Sequence, residues 1–332
     1  MSFVGIIANP ASGKDIRRLV AHATVVNNHE KVSIVRRLLL SLAAAGVERI
    51  EMMPDLFGIG SRALDGLRDR PDILAATSII DMVVEGNAED TLVAAQTLRA
   101  GGAGCIVVLG GDGTCRVVSR GCGEVPILAI STGTNNVIPT FVEGTVAGSA
   151  AAFVAQHPEV AREQVAYRHK RLVVHLNGRE ADQALVEVAV VSAAFVGSRA
   201  VWEAGSLRQI WVTRAQPTNI GLSSVIGVLR PVDPWQPEGA AVSIGPDKRR
   251  VKAPLAPGAI VPVGAGEVTR ILPGRRNPVA GERPAVLALD GEREIVLGQG
   301  DHAEVSLELD GPWLVDISRA LHLAVAGGSF WV

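Results

Sequence analysis

Three short runs carry the residue types that phosphate chemistry needs. In Val107-Val108-Leu109-Gly110-Gly111-Asp112-Gly113-Thr114 an apolar stretch runs straight into a glycine-rich turn, and helix-like sequence follows from Cys115 to Ser119. Glycines let a backbone approach a phosphate without side-chain clash. N–H groups at a helix start then donate to its oxygens. Asp112 would stand at the carboxyl end of a buried strand, where open α/β sheets bind ligands. A carboxylate there can hold a magnesium ion or accept a hydroxyl proton. The run is not a P-loop, because no Gly-Lys-Ser/Thr closes it, and it lacks the G-x-G-x-x-G of a Rossmann dehydrogenase. Asn9-Pro10-Ala11-Ser12-Gly13-Lys14 follows another apolar run, with a hydroxyl and a cation at hand. Ser131-Thr132-Gly133-Thr134-Asn135-Asn136 follows a third and supplies hydroxyl and amide donors. Each alone is an ordinary turn, but three at strand ends are expected to share one site.

The flanking sequence predicts the elements that position these turns. Phe3 to Ala8, Arg49 to Met53, Cys105 to Leu109 and Val125 to Ile130 read as strands. Val32 to Ala45 and Ala88 to Ala100 read as helices, the second ended by Gly101-Gly102. Such alternation implies a parallel sheet covered by helices on both faces. Near Tyr167 the pattern changes to short β-rich segments separated by Gly, Pro and Asp-Gly turns, with Asn177-Gly178 and Asp290-Gly291 as hairpin turns. Leu314 to Ala326 reads as a helix packing back on the first half. The expected organisation is an α/β nucleotide-binding domain over 1–166, joined by 314–332, and a β-rich antiparallel substrate domain over 167–313.

Composition bounds the function. The chain has 332 residues, 48% of them hydrophobic, and a net charge of -2. That length suits two domains. That charge argues against general nucleic-acid or anionic-membrane binding. No signal peptide and no membrane-spanning stretch is read, and three scattered cysteines without zinc spacing fit a reducing cytoplasm. Lys248, Arg249, Arg250 and Lys252 are expected at a solvated hairpin tip, or else at a contact with an anionic substrate or partner subunit.

The three loop motifs resemble those shared by NAD kinases and by diacylglycerol and sphingosine kinases. Over nearly its full length, including Phe195 to Trp202 and Ile220 to Ser224, the chain resembles most the NAD-kinase-like acetoin catabolism protein X group. The resemblance implies an ATP-dependent phosphotransferase with Mg²⁺, acting on a hydroxyl of a dinucleotide or small metabolite, and self-association into a homo-oligomer. It implies Asp112 as the functional acid. It places the nucleotide on Asn9, Ser12, Gly13 and Lys14, on Gly110, Gly111, Gly113 and Thr114, and on Thr132, Gly133, Thr134, Asn135 and Asn136. Asn135 stands where the lipid kinases carry a second glycine, which could restrict the backbone.

Other acids and a clamp complete the expected site. Asp290-Gly291-Glu292 resembles the Asp-Gly-Glu of bacterial lipid kinases, so Glu292 is a second catalytic candidate and Asp290 the metal candidate; an exposed hairpin turn is the plain alternative. The Asn-Glu pair of NAD kinases is here Val186-Glu187, which weakens the case for NAD itself and leaves Glu187 either facing the cleft or on a surface strand. Arg199 can clamp an anion and Trp202 can stack on a ring, or both can be structural. The rival function is a catalytically silent nucleotide-binding regulator linked to acetoin catabolism.

Overall fold

The computed structural model describes residues 1–13, 26–133, 135–192 and 204–331. Its first half alternates β1 (Phe3–Ala8), α1 (Asn28–Ala44), β2 (Arg49–Met52), α2 (Ile59–Asp65), α3 (Pro71–Ala76), β3 (Thr77–Ile79), α4 (Ala88–Ala100), β4 (Cys105–Gly110), α5 (Asp112–Gly121), β5 (Ile127–Ser131) and α6 (Gly144–Gln156). All residues of β1, β4 and β5 are buried. Successive strand side chains point to opposite faces. Val4, Ile6, Val107 and Leu109 therefore join Leu38 and Leu42 of α1 in one core. Phe3, Ile7, Ile106 and Val108 join Leu98 of α4 and Val118 of α5 in another. A strand buried on both faces carries apolar residues throughout, which is why these runs lack alternation.

The remaining strands are β6 (Ala166–Arg168), β7 (Arg171–Leu176), β8 (Arg179–Ala184), β9 (Glu187–Ser192), β10 (Leu207–Val212), β11 (Gly239–Ala256), β12 (Ala259–Ala265), β13 (Thr269–Ile271), β14 (Asn277–Pro278), β15 (Ala285–Leu289), β16 (Glu292–Leu297), β17 (Ala303–Glu308) and β18 (Trp313–Val315). The first sheet runs β3-β2-β1-β4-β5-β18-β6, parallel except where β6 meets β18. Two antiparallel sheets, β12-β11-β10-β9-β15-β16 and β14-β17-β7-β8, make up the second half. They pack face to face: Leu172, Val174, Val305 and Leu307 of one meet Val188, Val190, Leu287 and Leu289 of the other.

Two local readings change. The run from Leu314 divides into β18 and a helix, Ile317–Ala326, capped by the Asp316 side chain accepting from the Arg319 N–H. A three-residue strand is too short to interrupt a helical apolar period, so the sequence conceals it. The basic run at 248–252 lies within the 18-residue strand β11, not at a hairpin tip. Pairing with β12 is irregular between Ile244 and Arg249, and the basic side chains there are exposed.

Candidate functional site

The order β1-β4-β5 makes the three phosphate-type turns neighbours. Ala8 pairs with Leu109 and Gly110 pairs with Ser131, so the strands end level. Side chains tie the turns together: Asn9 Nδ2 donates to Thr114 Oγ1 at 2.9 Å, and Ser12 Oγ lies 2.8 Å from Thr132 Oγ1. Asn136 Nδ2 donates to Ser131 Oγ at 2.7 Å. A Cβ on Gly111 or on Gly133 would stand 2.9 or 2.8 Å from Asn136 Oδ1, so these two glycines make room for that amide. Gly113 differs: its nearest neighbour would be Glu292 Oε1 at 3.7 Å, which leaves its outer side open.

A cleft of about 420 Å³ opens over these turns, lined also by Asp182, Asp290, Glu292 and Glu294 from the second half. Asp112 sits at its floor in the first turn of α5, with its carboxylate accepting from the N–H groups of Val137 (2.9 Å) and Ile138 (2.9 Å). Burial pushes its pKa up to about 7, Asp290 adds to the rise, and the two N–H donors and Arg214 oppose it. An acid poised there can take a proton near neutral pH.

Asp290 belongs to the turn between β15 and β16, where its φ of 48° and the 82° of Gly291 suit an Asp-Gly hairpin. Its carboxylate accepts from the N–H groups of Leu185 (3.0 Å), Val186 (2.8 Å) and Glu187 (3.2 Å). Burial raises its pKa while Arg116 lowers it. Arg116, on α5 and 5% exposed, reaches Asp182 at 3.0 Å and Glu294 at 2.8 Å, with Asp290 at 3.8 Å. One guanidinium from the first half thus holds three acids of the second.

The expected residues fall into distinct places. Asn9, Ser12, Gly13, Gly111, Asp112, Gly113, Thr114, Gly133, Asn135, Asn136, Asp290 and Glu292 line the cleft together. Gly110 and Thr132 lie just beneath, the Thr132 N–H donating to the Gly110 carbonyl at 3.0 Å. Asn135 Nδ2 donates to the Leu255 carbonyl of β11 at 3.2 Å. Glu187 is neither on the surface nor on the cleft wall, being 6% exposed at the start of β9. Lys14, Thr134, Arg199 and Trp202 lie outside the described residues.

Magnesium sites commonly combine one or two carboxylates with substrate phosphates and water. Asp290 does not fit that role, because three backbone donors and Arg116 already occupy it. Glu292, which faces Gly113 across the cleft, is the acid that fits. Among the described residues no group of three or more His, Cys, Asp or Glu is placed to hold an ion by itself. Sequence reading missed Arg116, Asp182 and Glu294. Their partnership spans 66 and 178 residues and has no local signal.

Comparison with known proteins shows the family. Residues 4–158 match the ATP-NAD kinase N-terminal domain, and residues 170–310 match the acetoin catabolism protein X C-terminal domain. The chain is 39% identical over 331 residues to the acetoin catabolism protein X of Cupriavidus necator, covering 97% of this chain and 92% of that protein. The chain belongs to the acetoin catabolism protein X family. Yeast NADH kinase complexed with NADH overlays on 100% of this chain and 89% of its own at 14% identity and TM-score 0.49. A candidate diacylglycerol kinase of Bacillus anthracis overlays on 95% and 97% at 13% identity and TM-score 0.43. The family's first half is therefore the NAD-kinase-like α/β fold that the loop motifs implied, followed by antiparallel sheets.

Proposed function

We propose that this protein transfers the γ-phosphoryl group of ATP to a hydroxyl of a dinucleotide or smaller polar metabolite. The observation that carries the reading is Asp112, a buried acid with a pKa near 7 on the floor of a cleft rimmed by three adjacent phosphate-type turns. In the ionised form Asp112 takes the proton of the acceptor hydroxyl. The freed oxygen bonds to the γ-phosphorus as the bond from that phosphorus to the β,γ-bridging oxygen breaks, releasing ADP. Val137 and Ile138 N–H groups fix the direction of the carboxylate, so the base needs no reorientation. Gly113, Thr114 and the Ser12 turn present backbone and hydroxyl donors to the phosphates. Glu292 closes the opposite side and would hold Mg²⁺ against the phosphates. That ion, when bound, supplies the charge neutralisation on which phosphoryl transfer depends.

The ATP-NAD kinase match over 4–158 supports a dinucleotide acceptor, and the relative's name supports a metabolite of acetoin catabolism. No helix among the described residues is long and apolar enough to cross a membrane. The three cysteines are buried and free, which supports assignment to a reducing cytoplasm. Self-association belongs to the same reading and is checked by light scattering.

The deciding experiment measures ATP consumption with Mg²⁺ against NAD, NADH and a panel of small hydroxylated metabolites, with Asp112→Asn alongside. Turnover with one acceptor, lost in the variant, establishes the kinase. ATP binding without turnover on any acceptor sinks it in favour of a nucleotide-binding regulator.

A further inference from the structure

Lys31 lies in the first turns of α1 and is 0% exposed, and burying an ammonium is costly unless it is paired and hydrogen-bonded. Its Nζ donates to the Asn9 carbonyl at 2.8 Å, the Ser12 carbonyl at 2.9 Å and Asn28 Oδ1 at 3.2 Å. Two of these acceptors are main-chain atoms of the first phosphate-type turn. The same turn is tied sideways to the other two by Asn9 with Thr114 and Ser12 with Thr132. Lys31 thus holds from beneath a turn that its neighbours hold from the side.

Two consequences follow from peptide geometry and charge. The Ser12–Gly13 peptide is trans, so its C=O and N–H point in opposite directions. With the carbonyl turned down to the ammonium, the Gly13 N–H turns the other way, and Gly13 lines the cleft. Gly13 has a φ of 75°, and a Cβ there would meet the Thr132 carbonyl at 2.6 Å, so the turn accepts glycine alone in this shape. The described lining side chains of the cleft include seven carboxylates but two guanidiniums, Arg116 and Arg120, and Arg116 is bound to acids. A polyphosphate entering such a cleft needs positive charge placed close to its own binding turn.

We infer that Lys31 is a positioning residue for the nucleotide's phosphates: it turns the Gly13 N–H into the cleft and sets a buried positive charge behind it. This rests on the nucleotide-site reading above.

The test compares ATP with adenosine by titration calorimetry on the full chain, with Tm as the check on folding. In Lys31→Gln the affinity for ATP is expected to fall about tenfold or more, the scale of one charge-assisted hydrogen bond. Adenosine affinity should stay within about twofold, because the loss is confined to phosphate recognition. An equal fall for both ligands, or no fall for ATP, overturns the inference while leaving the nucleotide site standing. Should Lys31→Gln fail to fold, Asn28→Asp decides. It adds a carboxylate beside the ammonium at a helix start, where acids are tolerated. A fall in ATP affinity alone supports Lys31, and unchanged ATP affinity removes its role. A wild-type protein that binds ATP no better than adenosine removes both this inference and the nucleotide-site reading.

Discussion

At the scale of single residues the site is governed by what surrounds each carboxylate. Asp112 and Asp290 are both buried, and both accept backbone N–H groups, yet a guanidinium lies at 3.8 Å from Asp290, whereas the charges acting on Asp112 include Asp290, which raises its pKa, and Arg214, which lowers it. Burial is the largest influence on both, and at Asp112 it carries the pKa to about 7. As a base, Asp112 must be ionised, so kcat/KM is expected to rise with pH and level off above about 7. A pH–rate profile already flat at pH 5 would count against it. Asp112→Asn should lower kcat by about 10²–10⁴-fold, the usual worth of a general base. The stability effect has the opposite direction. The folded pKa lies above the ordinary 3.8, so the contribution of Asp112 is complete below about 4 and is lost as pH rises through about 7. Asp112→Asn, which keeps one oxygen for the Val137 and Ile138 donors, should therefore raise Tm at pH 8 more than at pH 4, as differential scanning calorimetry would read.

Elements bring these residues together, and two connections matter most. The first is the turn after β1, which fits only because Gly13 takes a positive φ against the Thr132 carbonyl. Gly13→Ala should cost about 1–3 kcal/mol, as strained backbone positions do, measured by urea unfolding. The second is α5, whose first turn carries Asp112 and whose next turn carries Arg116 into the acids of β8 and β16. Arg116→Met would leave three carboxylates facing one another without a counter-charge. The expected loss is about 3–5 kcal/mol at pH 8, because breaking a buried ion pair strands its partners. It should shrink as pH falls and Asp290, whose pKa burial raises, takes up a proton, and a pH-independent loss would point to packing instead. The strands β1, β4 and β5 were legible as apolar runs, and the hairpins at Asn177-Gly178 and Asp290-Gly291 were legible from turn chemistry, because both signals are local. Strand β18 was not, since three residues cannot set a period.

For the whole molecule, the chain's last strand lies inside its first sheet. β18 pairs in parallel with β5 and antiparallel with β6. Deleting residues 313–332 should therefore leave two unpaired strand edges and yield insoluble protein, checked by soluble yield and far-UV circular dichroism. A soluble truncated chain with unchanged helix and strand content would show that the sheet closes without β18. The cleft is likewise a property of the whole. Its floor comes from turns within residues 9–136, and its opposite wall comes from Asp182 and the β15–β16 hairpin.

The sequence by itself determined the alternation of apolar runs and helices, the three phosphate-type turns and the acid at the head of α5. Each of these depends on residues adjacent along the chain, where spacing and residue type dictate backbone shape. Tertiary structure alone decided which carboxylates are buried, that Arg116 gathers three of them, that Asp290 anchors a hairpin to β9, and that Lys31 lies beneath the first turn. Charge, burial and hydrogen bonding depend on distance in space, and the partners here are separated by 19 to 178 residues of chain.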